Sequence, residues 1–304
     1  MSVKLRHYTD QPGFTEDFFK VRNFLMKIHE PGYTGRNWLW ARWEYMFSHP
    51  SLDETNLWRI GLWEDEGKIV ALVTYEHNIG AAWFSFDRDY SYLKREMLEY
   101  AMEYLPRIDE DGRKSLRAII SDDDAEMREF AVKHGFTMTE RRDPMSEFRV
   151  SGKFPDITVP EEFSIISLAD ENDLWKIERV MWRGFNHPGE PPEDDIPGRL
   201  KMQSGPSFRK DLTIVVKAPN GDYVSFCGMW YDRSTDYAYV EPVATDPDYR
   251  RMGLARAAVL EGIRRCFAEG AEVAYVGTTM PFYLSIGFKP LFEAHWWEWK
   301  EPRV

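Results

Sequence analysis

Between Glu241 and Ala255 the chain reads Glu-Pro-Val-Ala-Thr-Asp-Pro-Asp-Tyr-Arg-Arg-Met-Gly-Leu-Ala. An apolar run enters a Pro-Asp turn and leaves as the start of an apolar-periodic segment, which predicts a strand-to-helix corner. The first N–H groups of a helix have no intrahelical acceptor and sit at its positive end, so such a corner favours an anion, above all a phosphate. Gly253 and Ala255 leave little side-chain bulk there, while Arg250, Arg251 and Arg256 supply local positive charge. The segment is too short for a P-loop and lacks its Lys-Ser/Thr, and Gly253-Leu254-Ala255 is not a dinucleotide fingerprint.

The elements that must position this corner follow from periodicity and breakers. A helix is expected from Asp170 to Phe185, then hairpin strands at Leu212–Ala218 and Tyr223–Tyr231 around Pro219-Asn220-Gly221, and a third strand at Tyr237–Thr245. After the corner come a helix from Gly253 to about Glu269, a strand at Val273–Gly277, a short helix at Pro281–Ser285, and strands at Phe288–Phe292 and His295–Lys300. The first half repeats the order: strands near Leu57–Trp63, Ile69–Glu76 and Ala82–Phe86, a helix at Tyr92–Tyr104, a strand at Leu116–Ser121 and a helix ending at His134. Asp87-Arg88-Asp89-Tyr90 parallels Asp246-Pro247-Asp248-Tyr249, and His134-Gly135-Phe136 parallels Ile286-Gly287-Phe288. The fold class is therefore α/β (α+β): two like domains in tandem, each a mixed, mostly antiparallel sheet flanked by helices. Residues 1–150 form the first, 151–160 the linker (with Gly152, Pro155 and Pro160) and 161–304 the second.

In this context the sequence resembles the GNAT superfamily of acyl-CoA N-acyltransferases. The family's phosphate loop, Gln/Arg-x-x-Gly-x-Gly/Ala, is matched by Arg250-Arg251-Met252-Gly253-Leu254-Ala255, and its Tyr-x-x-x-Gly-Phe segment by Tyr283-Leu284-Ser285-Ile286-Gly287-Phe288. The resemblance covers about Phe163 to Lys300 well and the first half weakly. It implies an acetyl-CoA cosubstrate whose pyrophosphate sits on the Arg250–Ala255 loop and whose pantetheine arm pairs with the backbone of Val243, Ala244 and Thr245. Where many members carry an Asn after the fifth strand, this chain has Gly277-Thr278-Thr279-Met280, and Thr278 is the substitute contact. Tyr283 matches the family's general-acid position.

The chemistry asks little more. A free amine of pKa near 10 must lose a proton before it attacks a thioester, and the departing thiolate must be protonated. Glu241, two residues before Val243 and so expected on the same strand face, is the candidate base, through water, and a backbone N–H of that strand would polarise the thioester carbonyl. The expected activity is direct transfer of an acetyl group to a primary amine in a ternary complex. A sensor that binds acyl-CoA without transferring anything is the rival reading. The first half lacks the machinery: by the spacing of the repeat, Ser91, Lys94 and Glu96 stand where Arg250, Gly253 and Ala255 do, and a glutamate aimed at a pyrophosphate would repel it.

Composition bounds the rest. A net charge of -12 argues against a nucleic-acid or anionic-membrane surface, no apolar run is long enough to span a bilayer, and Met1 to His7 carry no signal-peptide pattern. Cys227 and Cys266 have no paired spacing and no nucleophile context, no histidine forms a metal-binding spacing, and a cytoplasmic protein is expected. The acidic stretch Asn186–Gly198, with Glu190, Glu193, Asp194 and Asp195, could draw a cationic amine or simply be solvated. Partners are a small-molecule or peptide amine, with homo-oligomerisation left open.

Overall fold

Ala218 N–H donates to Asp222 and Gly221 N–H donates back to Ala218, closing the Asn220-Gly221 turn in the computed structural model of the chain, which describes residues 3–29, 38–192 and 195–303. The elements in order are β1 (Lys4–His7), α1 (Glu16–Lys27), α2 (Trp40–Ser48), β2 (Gly61–Asp65), β3 (Lys68–Glu76), β4 (Asn78–Phe86), α3 (Lys94–Tyr104), β5 (Arg107–Ile108), β6 (Lys114–Ser121), α4 (Ala125–Lys133) and β7 (Thr137–Arg142). There follow β8 (Met145–Phe148), β9 (Ser164–Ser167), α5 (Leu174–Gly184), α6 (Ile196–Met202), β10 (Ile214–Lys217), β11 (Tyr223–Tyr231) and β12 (Tyr237–Thr245). The chain ends with α7 (Leu254–Ala268), β13 (Val273–Val276), α8 (Pro281–Ser285), β14 (Lys289–Phe292) and β15 (Ala294–Lys300).

Two compact units result, each with its own sheet. One comprises Met1–Pro144 with Leu291–Val304, and its sheet runs β1-β2-β3-β4-β6-β15-β7, with β5 beside β6. The other comprises Met145–Pro290, with the order β14-β8-β13-β12-β11-β10-β9. Each sheet is mostly antiparallel and holds a parallel pair, β4 with β6 in one and β12 with β13 in the other. The tandem α/β class is as the sequence indicates, but the division differs from a linker at 151–160. The strand Met145–Phe148 belongs to the second unit, and the last strand, expected in the second domain, pairs with β6 and β7 of the first. Both are short strands, and nothing in a short extended segment names its partner.

Local physics explains the second unit's framework. Asp173 caps α5 by accepting from the N–H groups of Trp175 and Lys176. Ile177, Val180 and Met181 of α5 pack with Phe226 and Ala244 on one face of the sheet. On the other face Leu254, Ala258 and Ile263 of α7 pack with Cys227, Met229, Val240, Tyr283 and Phe288. Helix α6, in a stretch the sequence reads as loop, is held by Arg199, whose guanidinium binds the buried Glu178 of α5 at 2.8 Å.

Candidate functional site

Strands β12 and β13 pair only from Tyr237 to Tyr239, against Val273 to Tyr275. Beyond that point β12 keeps β11 on one side, with Cys227 opposite Val243 and Ser225 opposite Thr245, and among the described residues has no strand paired on the other. Asp246 N–H donates to Val224 of β11. Backbone alternation then turns the groups of Ala244 toward β11 and those of Val243 and Thr245 toward the open edge. An extended ligand with amide groups can therefore pair along β12 at Val243.

The open edge leads to the strand-to-helix corner. Asp246 caps a single 3₁₀ turn, Pro247–Tyr249, and Arg251 and Gly253 then adopt left-handed backbone, with φ 65° and 82°. Gly253 caps α7, whose first intrahelical bond runs from Ala257 N–H to Gly253 at 3.0 Å. The N–H groups of Met252, Gly253, Leu254, Ala255 and Arg256 find no acceptor among the described residues. Residues 251 to 253 are exposed, and a Cβ on Gly253 would meet nothing within 4 Å. This is a cradle of free amides at the positive end of a fifteen-residue helix, and it suits a diphosphate.

The arginines divide. Arg250 donates to Thr245 O (3.2 Å), Gly184 O (2.8 Å) and Asn186 Oδ1 (2.9 Å), tying the corner to the end of α5. Arg256 donates to Asp156 O at 2.7 Å. Arg251, exposed, has no partner among the described residues and is the guanidinium most available to an anion. Sequence spacing does not reveal the brace beneath them: Arg183 of α5 grips the buried Asp246 at 2.6 and 3.1 Å and Asp248 at 2.7 Å. Burial alone would raise the Asp246 carboxyl, but the Arg183 guanidinium and the Asp248 N–H outweigh it and hold it below its ordinary value. Stability from this group is present above the unfolded carboxyl range and lost as pH falls through its lowered folded value. Asp246→Asn should lower unfolding free energy by about 2 kcal/mol at neutral pH, with a smaller deficit in acid, as measured by denaturant titration at several pH values.

Tyr283 lies on the α7 side, 8 % exposed, its ring edge-on to Phe282 at 4.9 Å and Phe288 at 5.6 Å. Its hydroxyl has no hydrogen bond among the described residues. Burial pushes the phenol well above its ordinary range, and Cys227 and the Glu241 carboxylate push it further. Thr278 is half-buried and accepts from Met280 N–H at 3.2 Å. Glu241 is half-buried on β12, but not by the alternation expected of it. Between the pairs Cys227 to Val243 and Met229 to Val240, β11 advances two residues and β12 three. The extra residue is a bulge, so Val240 and Val243 both line the α7 side and the two-residue rule fails across Glu241. A glycine inside a strand, Gly228, was the available signal.

The first unit repeats the open edge and not the cradle. Strand β4 pairs with β6 only at Ala81 and Ala82, and Phe84 and Phe86 occupy the places of Val243 and Thr245. Its 3₁₀ turn at Arg88–Leu93 runs straight into α3, with no left-handed residue between. Lys94 is held by Asp124 (2.8 Å) and Glu126 (3.3 Å), which link the starts of α3 and α4. Glu96 does not aim at an anion site, as expected from spacing, but accepts from the Trp63 indole at 2.9 Å. Ala131 is buried in α4, where Tyr283 has its counterpart.

In the acidic stretch, Glu190 binds Arg179 at 2.8 Å and Asp195 precedes α6; Glu193 and Asp194 lie outside the described residues. Among the described residues no cluster of three His, Cys, Asp or Glu side chains could hold a metal, and no helix is long and apolar enough to cross a membrane.

Residues 172–288, which hold this whole constellation, match the model of the Acetyltransferase (GNAT) family. No curated protein matches the chain. Among solved structures, the chain is similar to a tandem GNAT protein from the clavulanic acid biosynthesis pathway, with 12% identity, 100% of each chain covered and a TM-score of 0.64. It is also similar to a GCN5-related N-acetyltransferase from Sphaerobacter thermophilus, with 14% identity, 99% of this chain and 97% of that one covered and a TM-score of 0.59. At these identities the likenesses establish the fold alone.

Proposed function

We propose that the chain moves an acetyl group from acetyl-CoA to a primary amine, a reading supported by the match of residues 172–288 to the Acetyltransferase (GNAT) family and by the likeness of the whole fold to a tandem GNAT protein. The observation that carries this reading is the continuity of an open strand edge at Val243 with the free-amide cradle at Gly253, flanked by a buried, protonated Tyr283. The pyrophosphate would rest on residues 251 to 256, and the pantetheine amides would pair along β12.

In that pose the neutral amine nitrogen attacks the thioester carbon, forming the C–N bond while the carbonyl oxygen takes up negative charge against the Val243 N–H. Glu241 receives the amine's proton through water. The C–S bond breaks and the Tyr283 O–H protonates the departing thiolate. Cys227 is fully buried and its thiol pKa is pushed up by that burial, which opposes a role as acyl carrier. The first unit, with its cradle replaced by the Lys94 ion pairs, would bind no CoA.

Acetyl-CoA turnover against a panel of amines, followed by thiol release, tests the reading, with calorimetry as its companion. Amine-dependent release and one CoA per chain are expected. Tight binding without release for every amine class would favour the sensor reading, and two CoA per chain would overturn the inactive first unit.

A further inference from the structure

The β12 bulge is pinned from below at two points of β11. A Cβ on Gly228 would lie 2.4 Å from the carbonyl oxygen of Glu241 and 3.0 Å from both its carbon and Pro242 Cδ, so only glycine lets the extra residue bow this close. Two residues on, the Trp230 indole Nε1 donates to the same Glu241 oxygen at 3.0 Å. Trp230 is 4% exposed, so its ring is fixed by packing and its N–H has a set direction. The Glu241–Pro242 peptide is thus held by a close contact and a directed hydrogen bond, and the next residue is Val243, whose backbone faces the open edge.

We propose that Trp230 and Gly228 are positioning residues: by fixing the Glu241 carbonyl they aim the Val243 N–H at the acyl carbonyl of a bound thioester. The inference rests on the acetyl-transfer reading, since it assumes that an acetyl-CoA carbonyl reaches Val243. Neither residue touches the reacting atoms. Removing the indole N–H would leave the phosphate cradle intact and let the peptide rotate, so the loss should fall on the carbonyl contact and not on coenzyme binding.

Infrared difference spectroscopy of bound acetyl-CoA labelled with carbon-13 at the thioester carbonyl reads that contact without an acceptor. In wild-type protein the carbonyl band should lie below its position in free solution. In Trp230→Phe it should move back toward the free value, with the Kd for CoA unchanged within about twofold. Gly228→Ala should act in the same sense, and if it does not fold, Trp230→Phe still decides. A band as low in Trp230→Phe as in wild type would overturn the clamp and leave the enzyme reading standing. A wild-type band at the free position with acetyl-CoA bound, or no binding at all, would overturn the acetyl-transfer reading, and the clamp with it.

Discussion

Gly253→Glu should weaken CoA binding by roughly three decades while the protein stays folded. The geometry separates the two effects. Gly253 sits at φ 82° with no atom within 4 Å of a would-be Cβ, so a side chain there meets solvent and no clash. Left-handed backbone costs a non-glycine residue about 1–2 kcal/mol, a Tm loss of roughly 5 °C for a unit of this size. The added carboxylate, by contrast, stands where the free N–H groups converge. At about 4 Å from a phosphate and an effective dielectric of 20, the repulsion is about 4 kcal/mol, or roughly three decades in Kd. Gly253→Ala supplies the control, with the same backbone strain and no charge, and should bind CoA within about tenfold of wild type. Calorimetry on the three proteins decides. If the alanine variant loses as much affinity as the glutamate, backbone conformation and not charge governs the cradle. If neither loses any, the diphosphate does not bind there.

The cradle was legible in the sequence because its determinants are local: a glycine at a helix start, small neighbours and a strand before it all lie within about fifteen residues. What each arginine does was not. Residue type supplies charge but no direction, and the structure turns Arg250 onto Gly184 and Asn186 and leaves Arg251 outward. The same limit hid the Arg183–Asp246 brace, whose partners are 63 residues apart. Strand pairing failed for a related reason. The extended segment at His295–Lys300 is legible in the sequence and Met145–Phe148 is not, and the sheets of both are chosen by contacts more than a hundred residues away, Phe148 with Ala274 and Trp296 with Ile119. The bulge lay between these cases. Gly228 marked a close approach, yet only the register of Cys227 and Met229 against β12 shows that the extra residue falls at Glu241 and Pro242.

The second large effect belongs to Tyr283→Phe. Its hydroxyl has no hydrogen bond among the described residues, and its ring packs between Phe282 and Phe288, so phenylalanine should fill the same space with little change in Tm. Any loss of rate then reports chemistry. A positioned general acid contributes about 10²–10⁴ in kcat, and because a thiolate is already a fair leaving group, a drop of about 10² is expected, with the Kd for acetyl-CoA unchanged. The pH profile carries the sign. Burial, with Cys227 and Glu241 beside it, disfavours the phenolate, so Tyr283 keeps its proton through the ordinary tyrosine range. An acid of that kind gives no loss of kcat between about pH 7 and 10, and the rise from deprotonation of the amine should persist in Tyr283→Phe. An ionised tyrosine acting as base would instead add a rise that Tyr283→Phe removes. A kcat within about threefold of wild type in the phenylalanine variant would return Tyr283 to the core, as one more aromatic above Phe288, and move the search for the acid to the solvent side of the cleft.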